Sequence, residues 1–319
     1  MNILSEYPAE EYLLSLRTYD ALPQHSTFSE LLKKEFKTFR TTSVISATRN
    51  IIFEFKLKDE SYVLKHFLDK PVRSNKNLLE EDTFEQISHS YFNTEKEVLQ
   101  NKLNYLPKIY FYDSQSHTII MEKLLGYQNF YDFLLQNLSN PTTLKQYLKN
   151  LAETLKSITK NSINSLSQSN SKNILMIGEL KSHEELFKYY KKYCDYWDES
   201  GLIHADLFAR NILVNTDKEN IKIIDWEMAT LGDPYFDLST VVSILCDRRL
   251  GIFFPNVHYS KRAYDFAMLR KDIDYFLDAY MPRIDKQRLK TFLIINTQDR
   301  CKNSDEVSNL IKNINQIFP

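Results

Sequence analysis

Three polar residues in one stretch have the types and spacing that phosphoryl transfer requires. They are Asp206, Asn211 five residues later, and Asp225 fourteen after that. Between them lie two apolar runs, Ile212 to Val214 and Ile221 to Ile224, joined by the turn-rich segment NTDKEN from Asn215 to Asn220. Runs of this kind predict two short strands and a hairpin. A hairpin of that length returns its outer ends to one place, so Asn211 and Asp225 are expected side by side, with Asp206 on the loop before them. A transferred phosphoryl group needs Mg²⁺ held by hard oxygen ligands. Asn211 and Asp225 offer one neutral and one charged oxygen. Asp206 is placed to orient an attacking hydroxyl and accept its proton.

The pattern H-x-D-x-x-x-x-N followed by a metal-binding Asp is shared with protein kinases. Here Asp225 is followed by Trp226 and Glu227 instead of Phe and Gly, and then by the run GDPYFDL from Gly232 to Leu238. Residues 201–240 resemble the aminoglycoside phosphotransferase and choline kinase family, small-molecule kinases with the protein-kinase fold; a weaker agreement extends over about 40–160. The resemblance implies an α+β, bilobal, protein-kinase-like fold. Its small N-terminal lobe would carry an antiparallel five-stranded sheet plus a helix, and its larger C-terminal lobe would be mainly helical. Residues 1–39 would be an N-terminal helical extension, 40–124 the nucleotide-binding lobe and 125–319 the catalytic and acceptor-binding lobe.

The resemblance also distributes roles. Lys65, in the run Tyr62-Val63-Leu64-Lys65, would hold the α- and β-phosphates of ATP. Glu95 would be its ion-pair partner, with Glu97 as the alternative. The turn from Ser46 to Asn50 would cover the phosphates. It has no glycine, so close backbone approach is less free there, and the hydroxyls of Ser46 and Thr48 would donate instead. Met121 to Gly126 resembles the hinge, where the backbone of Glu122 and Leu124 would meet the adenine edge. His204 reads as structural, bonding backbone near the metal-binding motif, and Asp237 as an anchor for the catalytic-loop backbone. Arg210 has two readings: a cation stabilising the transferred phosphate, or a salt bridge to Glu227 or Asp237. Glu227 would touch a second Mg²⁺ or a substrate amine. Asp272, Asp274, Asp278 and Asp299 are the acids available to bind an amine.

The elements that must position these residues follow from periodicity. Residues 40–68 hold three β-rich runs. Residues 69–93 read as a polar insertion, partly helical, and a helix is expected from Asn93, capped by Asn93 or Thr94. Lys108 to Tyr112 and Thr118 to Met121 predict another hairpin. Asn140 and Pro141 open a helix whose apolar face runs through Leu144, Leu148, Leu151, Leu155 and Ile158. Ser182 to Glu185 has capping-box spacing. The helix after it is aromatic, which reads first as core.

Composition narrows the function classes. The chain has 319 residues, with 41 basic and 42 acidic side chains and a net charge of −1. A nucleic-acid footprint would need a clustered basic excess, so no nucleic-acid partner is expected. The three cysteines show no metal-ligand or paired spacing and fit a reducing, cytoplasmic compartment. The acidic N-terminus does not read as a secretory signal, and no apolar run approaches the ~18 residues of a membrane span. The expected activity is transfer of the γ-phosphate of ATP, or alternatively GTP, to a hydroxyl of a small cationic acceptor. Choline, ethanolamine and aminoglycosides are the family's acceptors. Two alternatives are a protein kinase and an inactive nucleotide-binding pseudokinase. Against the first, no D-F-G or A-P-E follows and Tyr235 lies only nine residues after Trp226. The glycine-poor phosphate turn supports the second.

Overall fold

The computed structural model describes residues 40–46, 50–57, 60–67, 81–114, 116–137, 139–160, 184–250, 266–298, 301 and 304–318. The expected 1–39 extension, Thr48, the first part of the 69–93 insertion, the Ser182 capping signal and Asp299 lie outside these residues. The chain divides into two compact units, Met1–Leu125 and Gly126–Pro319.

The first unit is a sheet with one helix. Its elements are β1 (Arg40–Ser46), β2 (Asn50–Leu57), β3 (Glu60–Phe67), α1 (Glu81–Leu99), β4 (Ile109–Asp113) and β5 (Thr118–Glu122). The strands pair antiparallel in the order β1-β2-β3-β5-β4. This is the five-stranded sheet plus helix expected of the small lobe. Strand alternation buries Phe53, Phe55 and Leu64, and the ring of Phe92 meets that of Phe67 edge-on at 5.8 Å. Helix α1 corrects the sequence reading. It starts at Glu81, so Asn93 lies in its interior. The Asn93 side chain does not cap; it contacts His89 one turn back and accepts from Lys96. The partly helical reading of the insertion holds over its second half, which belongs to α1.

The second unit is mainly helical. It comprises β6 (Gln128–Asn129), α2 (Phe130–Asn137), α3 (Pro141–Lys160), α4 (Glu184–Tyr196), β7 (Gly201–Ile203), β8 (Ile212–Asn215), β9 (Asn220–Ile223), β10 (Thr230–Gly232), α5 (Pro234–Leu250), α6 (Phe266–Tyr280), α7 (Lys286–Thr297) and α8 (Ser304–Ile317). Asn140 caps α3 as expected, its side-chain oxygen accepting from Thr143 N–H at 3.2 Å. Leu144, Leu148, Leu151, Leu155 and Ile158 are all buried. Helix α3 packs on α6, and α7 packs on α4 and α5. The aromatic load of α4 is partly core: Tyr193 is buried against Trp197 and Phe292. The two small sheets order as β6-β8-β9 and β10-β7. Among the described residues no helix is long and apolar enough to cross a membrane.

Candidate active site

The β8–β9 hairpin forms as its alternation dictates. Ile212, Val214, Ile221 and Ile223 face inward and are buried, while Leu213 and Lys222 are half-buried. The turn is fixed by the Asn215 side chain, which accepts from Lys218 N–H at 2.8 Å. Register pairs Ile212 with Ile223. One step further out, Ile224 N–H donates to the Asn211 carbonyl at 3.0 Å. Asn211 and Asp225 thus leave the open end of the hairpin together. Asn211 itself sits in a short 3₁₀ turn, Ala209–Asn211.

Asp206 is tied to Asn211. The Asn211 amide donates to the Asp206 main-chain oxygen at 2.8 Å and to its carboxylate at 3.2 Å. Those bonds use the amide hydrogens and turn the side-chain oxygen away. Among the described residues that oxygen accepts no hydrogen bond, so it is available as a neutral ligand. The carboxylates of Asp225 and Glu227 bring oxygens within 4.8 Å of one another. A carbonyl oxygen and two carboxylates on one loop end suit a hard divalent cation. Burial pushes the Asp206 carboxyl up to about 6, opposed by Arg210 and the Asn211 hydrogen bond and reinforced by the charges of Asp225 and Glu227.

Beneath the loop, His204 is fully buried. Its Nδ1 accepts from Asp206 N–H at 3.2 Å, which leaves Nε2 to donate to the Ile224 carbonyl at 2.9 Å. That assigns a neutral ring protonated at Nε2. The ring packs against buried Trp226 at 4.6 Å. Asp237, on the first turn of α5, accepts from the backbone N–H of His204 at 2.6 Å and of Ala205 at 3.1 Å. Burial raises its carboxyl to about 7 against the pull of those two donors. The roles expected for His204 and Asp237 are the ones this geometry gives them.

Two backbone features carry no sequence signal. Ala205 (φ +63°) and Asp225 (φ +67°) both lie in the left-handed region. Each costs about 1–3 kcal/mol for a residue other than glycine and persists only where neighbours over-determine it. The Asp237 bonds do so at Ala205. The buried Trp226, whose indole N–H donates to the Ile223 carbonyl at 2.9 Å, does so beside Asp225.

Arg210 follows neither charge-pair alternative read from sequence. Asp237 is spoken for by backbone, and the Arg210 guanidinium instead lies 3.7 Å from the Asp206 carboxylate and 5.3 Å from the Phe208 ring centroid. Of the amine-binding candidates, Asp274 pairs with Lys286 at 2.8 Å, Asp272 is buried and Asp278 is exposed. Sequence reasoning also missed the β7–β10 pair, which closes the loop on both sides: Leu231 opposes Leu202. Strands of three residues are too short to show a period.

In the first unit, Lys65 and Glu95 form a buried ion pair at 2.5 Å, with side chains 4 % and 2 % exposed. Glu97 is only half-buried, so Glu95 is the partner. Ser46 ends β1, its backbone opposite Ile51. At the chain's exit from β5, Glu122 N–H is taken by the Lys108 carbonyl at 2.9 Å and its carboxylate accepts from Lys108 N–H. Lys123 N–H goes to Ser61 and Leu125 N–H to Lys123. Leu124 N–H donates to no described residue, so of the two hinge candidates it is the one with a donor left for a base edge.

Residues 136–274 match the model of a phosphotransferase enzyme family. No curated protein matches the chain in sequence. Several solved structures share its fold. A choline/ethanolamine kinase family protein from Mesorhizobium loti is 11 % identical, covering 97 % of this chain and 94 % of its own, with a TM-score of 0.54. An ethanolamine kinase of Plasmodium vivax is 12 % identical over 98 % and 96 %, with a TM-score of 0.52. A thermostable mutant of an aminoglycoside phosphotransferase, in ternary complex with AMP-PNP and hygromycin B, is 12 % identical over 92 % and 98 %, again at 0.52. The resemblance read from residues 201–240 therefore holds, and the fold is protein-kinase-like.

Proposed function

We propose that the chain transfers the γ-phosphate of ATP to a hydroxyl of a small molecule. The observation that carries this reading is the hairpin end: Asp206 fastened to Asn211, with Asp225 and Glu227 alongside. The phosphotransferase family match spans all four. Asp206 accepts the hydroxyl proton as the acceptor oxygen bonds to the γ-phosphorus and the bond to the β–γ bridging oxygen breaks, releasing ADP. Asn211 and Asp225 would hold Mg²⁺, which neutralises charge on the phosphate oxygens. Arg210, held near Asp206, supplies a cation for the transferred group. Lys65, fixed by Glu95, positions the α- and β-phosphates, and Leu124 N–H meets the adenine edge. Ser46 and Thr48 remain our candidates for the phosphate turn.

We take the acceptor to be a cationic amino alcohol or aminoglycoside. Three carboxylates at one loop end favour a cation, and the structures sharing the fold include kinases of that description. A protein substrate is disfavoured by the chain path. Between Trp226 and the start of α5 there is room only for a 3₁₀ turn and β10, not for a peptide-docking loop.

The test is nucleoside diphosphate release from MgATP and MgGTP against choline, ethanolamine, aminoglycosides, sugars and nucleosides, with Asp206→Asn as the blank. Acceptor-dependent release lost in the variant is the expected result. Release that survives intact in Asp206→Asn overturns the mechanism. Tight nucleotide binding with no release for any acceptor turns the reading to a pseudokinase.

A further inference from the structure

At the other end of β7 from the catalytic loop lies a cavity of about 370 Å³. That is within the size range of small-molecule sites, roughly 300–1,000 Å³. Its walls come from the end of α3, the start of α5, the end of α6 and the first turn of α7: Lys156, Lys160, Tyr235, Tyr280, Met281 and Arg288. The phosphoryl-transfer reading uses none of them.

The chemistry of the wall is specific. Arg288 lies over the Tyr235 ring, 4.6 Å from its centroid, and donates through Nη2 to Asp233. Its Nε–H is buried and has no acceptor. An unpaired buried donor of a charged group is costly to the fold; the Arg288 side chain as a whole is 21 % exposed, so its guanidinium can meet an acceptor from outside the chain. Asp233 is not that acceptor in reserve. It is fully buried and already receives Asp198 N–H, Tyr235 N–H and Arg288. Lys156 and Lys160, one turn apart on α3, are exposed and make no ion pair among the described residues. With Arg288 and Asp233 neutralising each other, these two cations face the single carboxylate of Asp198. The remaining wall is apolar: the faces of Tyr235 and Tyr280, whose hydroxyl is engaged with Thr159 at 3.1 Å, and the half-open Met281, 39 % exposed.

From this we infer that the cavity is a second ligand site that takes a small organic carboxylate with an apolar or aromatic body. The carboxylate meets Arg288 and the two lysines, and the body lies against the tyrosine rings. A bare inorganic anion would leave those rings wet, and a cation would face Lys156, Lys160 and Arg288. The site bears on the catalytic loop through one turn of helix. Asp233 holds Asp198 N–H before β7, and Asp237, four residues on, holds His204 and Ala205 N–H after it. An occupant that engages Arg288 stiffens the turn that carries both.

The experiment is a calorimetric titration of the full chain with benzoate, with benzyl alcohol as the neutral isostere and inorganic phosphate as the bare anion. Saturable benzoate binding is expected. The Kd for benzyl alcohol should be about tenfold higher, as the loss of a charged hydrogen bond dictates. Lys160→Glu and Met281→Trp, both at exposed positions and checked for folding by circular dichroism, should each weaken benzoate about tenfold or more. Asp206→Asn should bind it as the parent does, which separates this site from the proposed catalytic one. Amide hydrogen exchange at His204 and Ala205 should slow when benzoate is bound. The inference is overturned by no saturable benzoate binding, by benzyl alcohol or phosphate binding equally well, or by both cavity variants leaving the benzoate Kd unchanged.

Discussion

The two charge pairs assigned to phosphoryl transfer, Lys65–Glu95 in the first unit and Arg210–Asp206 in the second, are built in opposite ways. Lys65 and Glu95 are almost wholly buried and 2.5 Å apart. Lys65 is the middle of a strand paired on both sides, with Ile52 and Ile119, and Glu95 lies in a helix. Arg210 leaves 72 % of its side chain exposed and stands 3.7 Å from Asp206. It projects from a short 3₁₀ turn. A buried pair is set before any ligand arrives, and each partner depends on the other for compensation. An exposed pair at that distance is worth little to folding, so its placement is free to answer to chemistry. On the proposed function, the difference separates a group that would be rigid to hold a phosphate from one that would reach a group in transit.

The largest effect should come from Asp206. Replacing it with Asn keeps the shape and the contact with Asn211 but removes the proton acceptor. The kcat of acceptor phosphorylation should fall ~10³-fold, from lost general-base catalysis together with lost positioning. Thermal stability should hold or rise, because a carboxylate that burial disfavours is gone. A variant that loses both activity and fold would mean that Asp206 is structural, like Asp237, and would erase the contrast drawn above.

Lys65→Met tests the buried partner. It leaves Glu95 charged and 2 % exposed. Breaking such a pair costs about 3–5 kcal/mol, so chemical denaturation should show a much lower midpoint. The double variant Lys65→Met, Glu95→Leu should recover most of that stability while remaining unable to hold ATP. If the single variant is as stable as the parent, the pair is not preorganised and the comparison fails at its first term.

What could be read from sequence follows the same divide between periodic and aperiodic structure. The β8–β9 hairpin was legible because Ile212, Val214, Ile221 and Ile223 alternate and NTDKEN is rich in turn formers. The five-stranded sheet was legible for the same reason. The start of α1 was not, because Asn93 has the chemistry of a cap yet spends its side chain on His89 and Lys96 within the helix. Strands β7 and β10 were hidden by their length. The left-handed Asp225 was hidden because nothing local asks for it. The distant pairing of Asp233 with Arg288, 55 residues apart, leaves no trace in either segment. Arg210 was visible as a charged residue at a telling offset. Its partner was not, since three acids lie within reach in sequence and only the folded loop selects Asp206.

The pH dependence sharpens the second pair. The folded-state value of Asp206 is raised from 3.8 to about 6, first by burial. As a base it works only when ionised, so kcat/KM should fall about tenfold per unit below pH ~6. Mg²⁺ should move that limb lower, because a cation cancels the push from Asp225 and Glu227. Stability has the opposite sign. The folded protein holds the Asp206 proton where the unfolded chain has lost it, so between pH 3.8 and about 6 this group's contribution to stability falls as pH rises. Asp206→Asn should remove both trends. A pH–rate profile in MgATP that stays flat down to pH 3.8, the ordinary carboxylate value, would deny Asp206 the role of base.

The smallest expected effect is the stability change in Arg210→Ala. With 72 % of the side chain in solvent and its partner at 3.7 Å, the loss should stay within about 1 kcal/mol by denaturant titration. Its kinetic effect should be larger than its structural one: kcat down about tenfold, a share of the electrostatic stabilisation that a single donor supplies, with the KM for nucleotide little changed. Removing the cation also lets the Asp206 carboxyl rise further, since Arg210 is the strongest influence holding it down. The acid limb of the variant should therefore shift to higher pH, while Arg210→Lys restores the limb but not the full kcat, because a point charge replaces the planar fork. A variant that moves neither kcat nor the limb would leave Arg210 as surface charge and reduce the second pair to an accident of the loop.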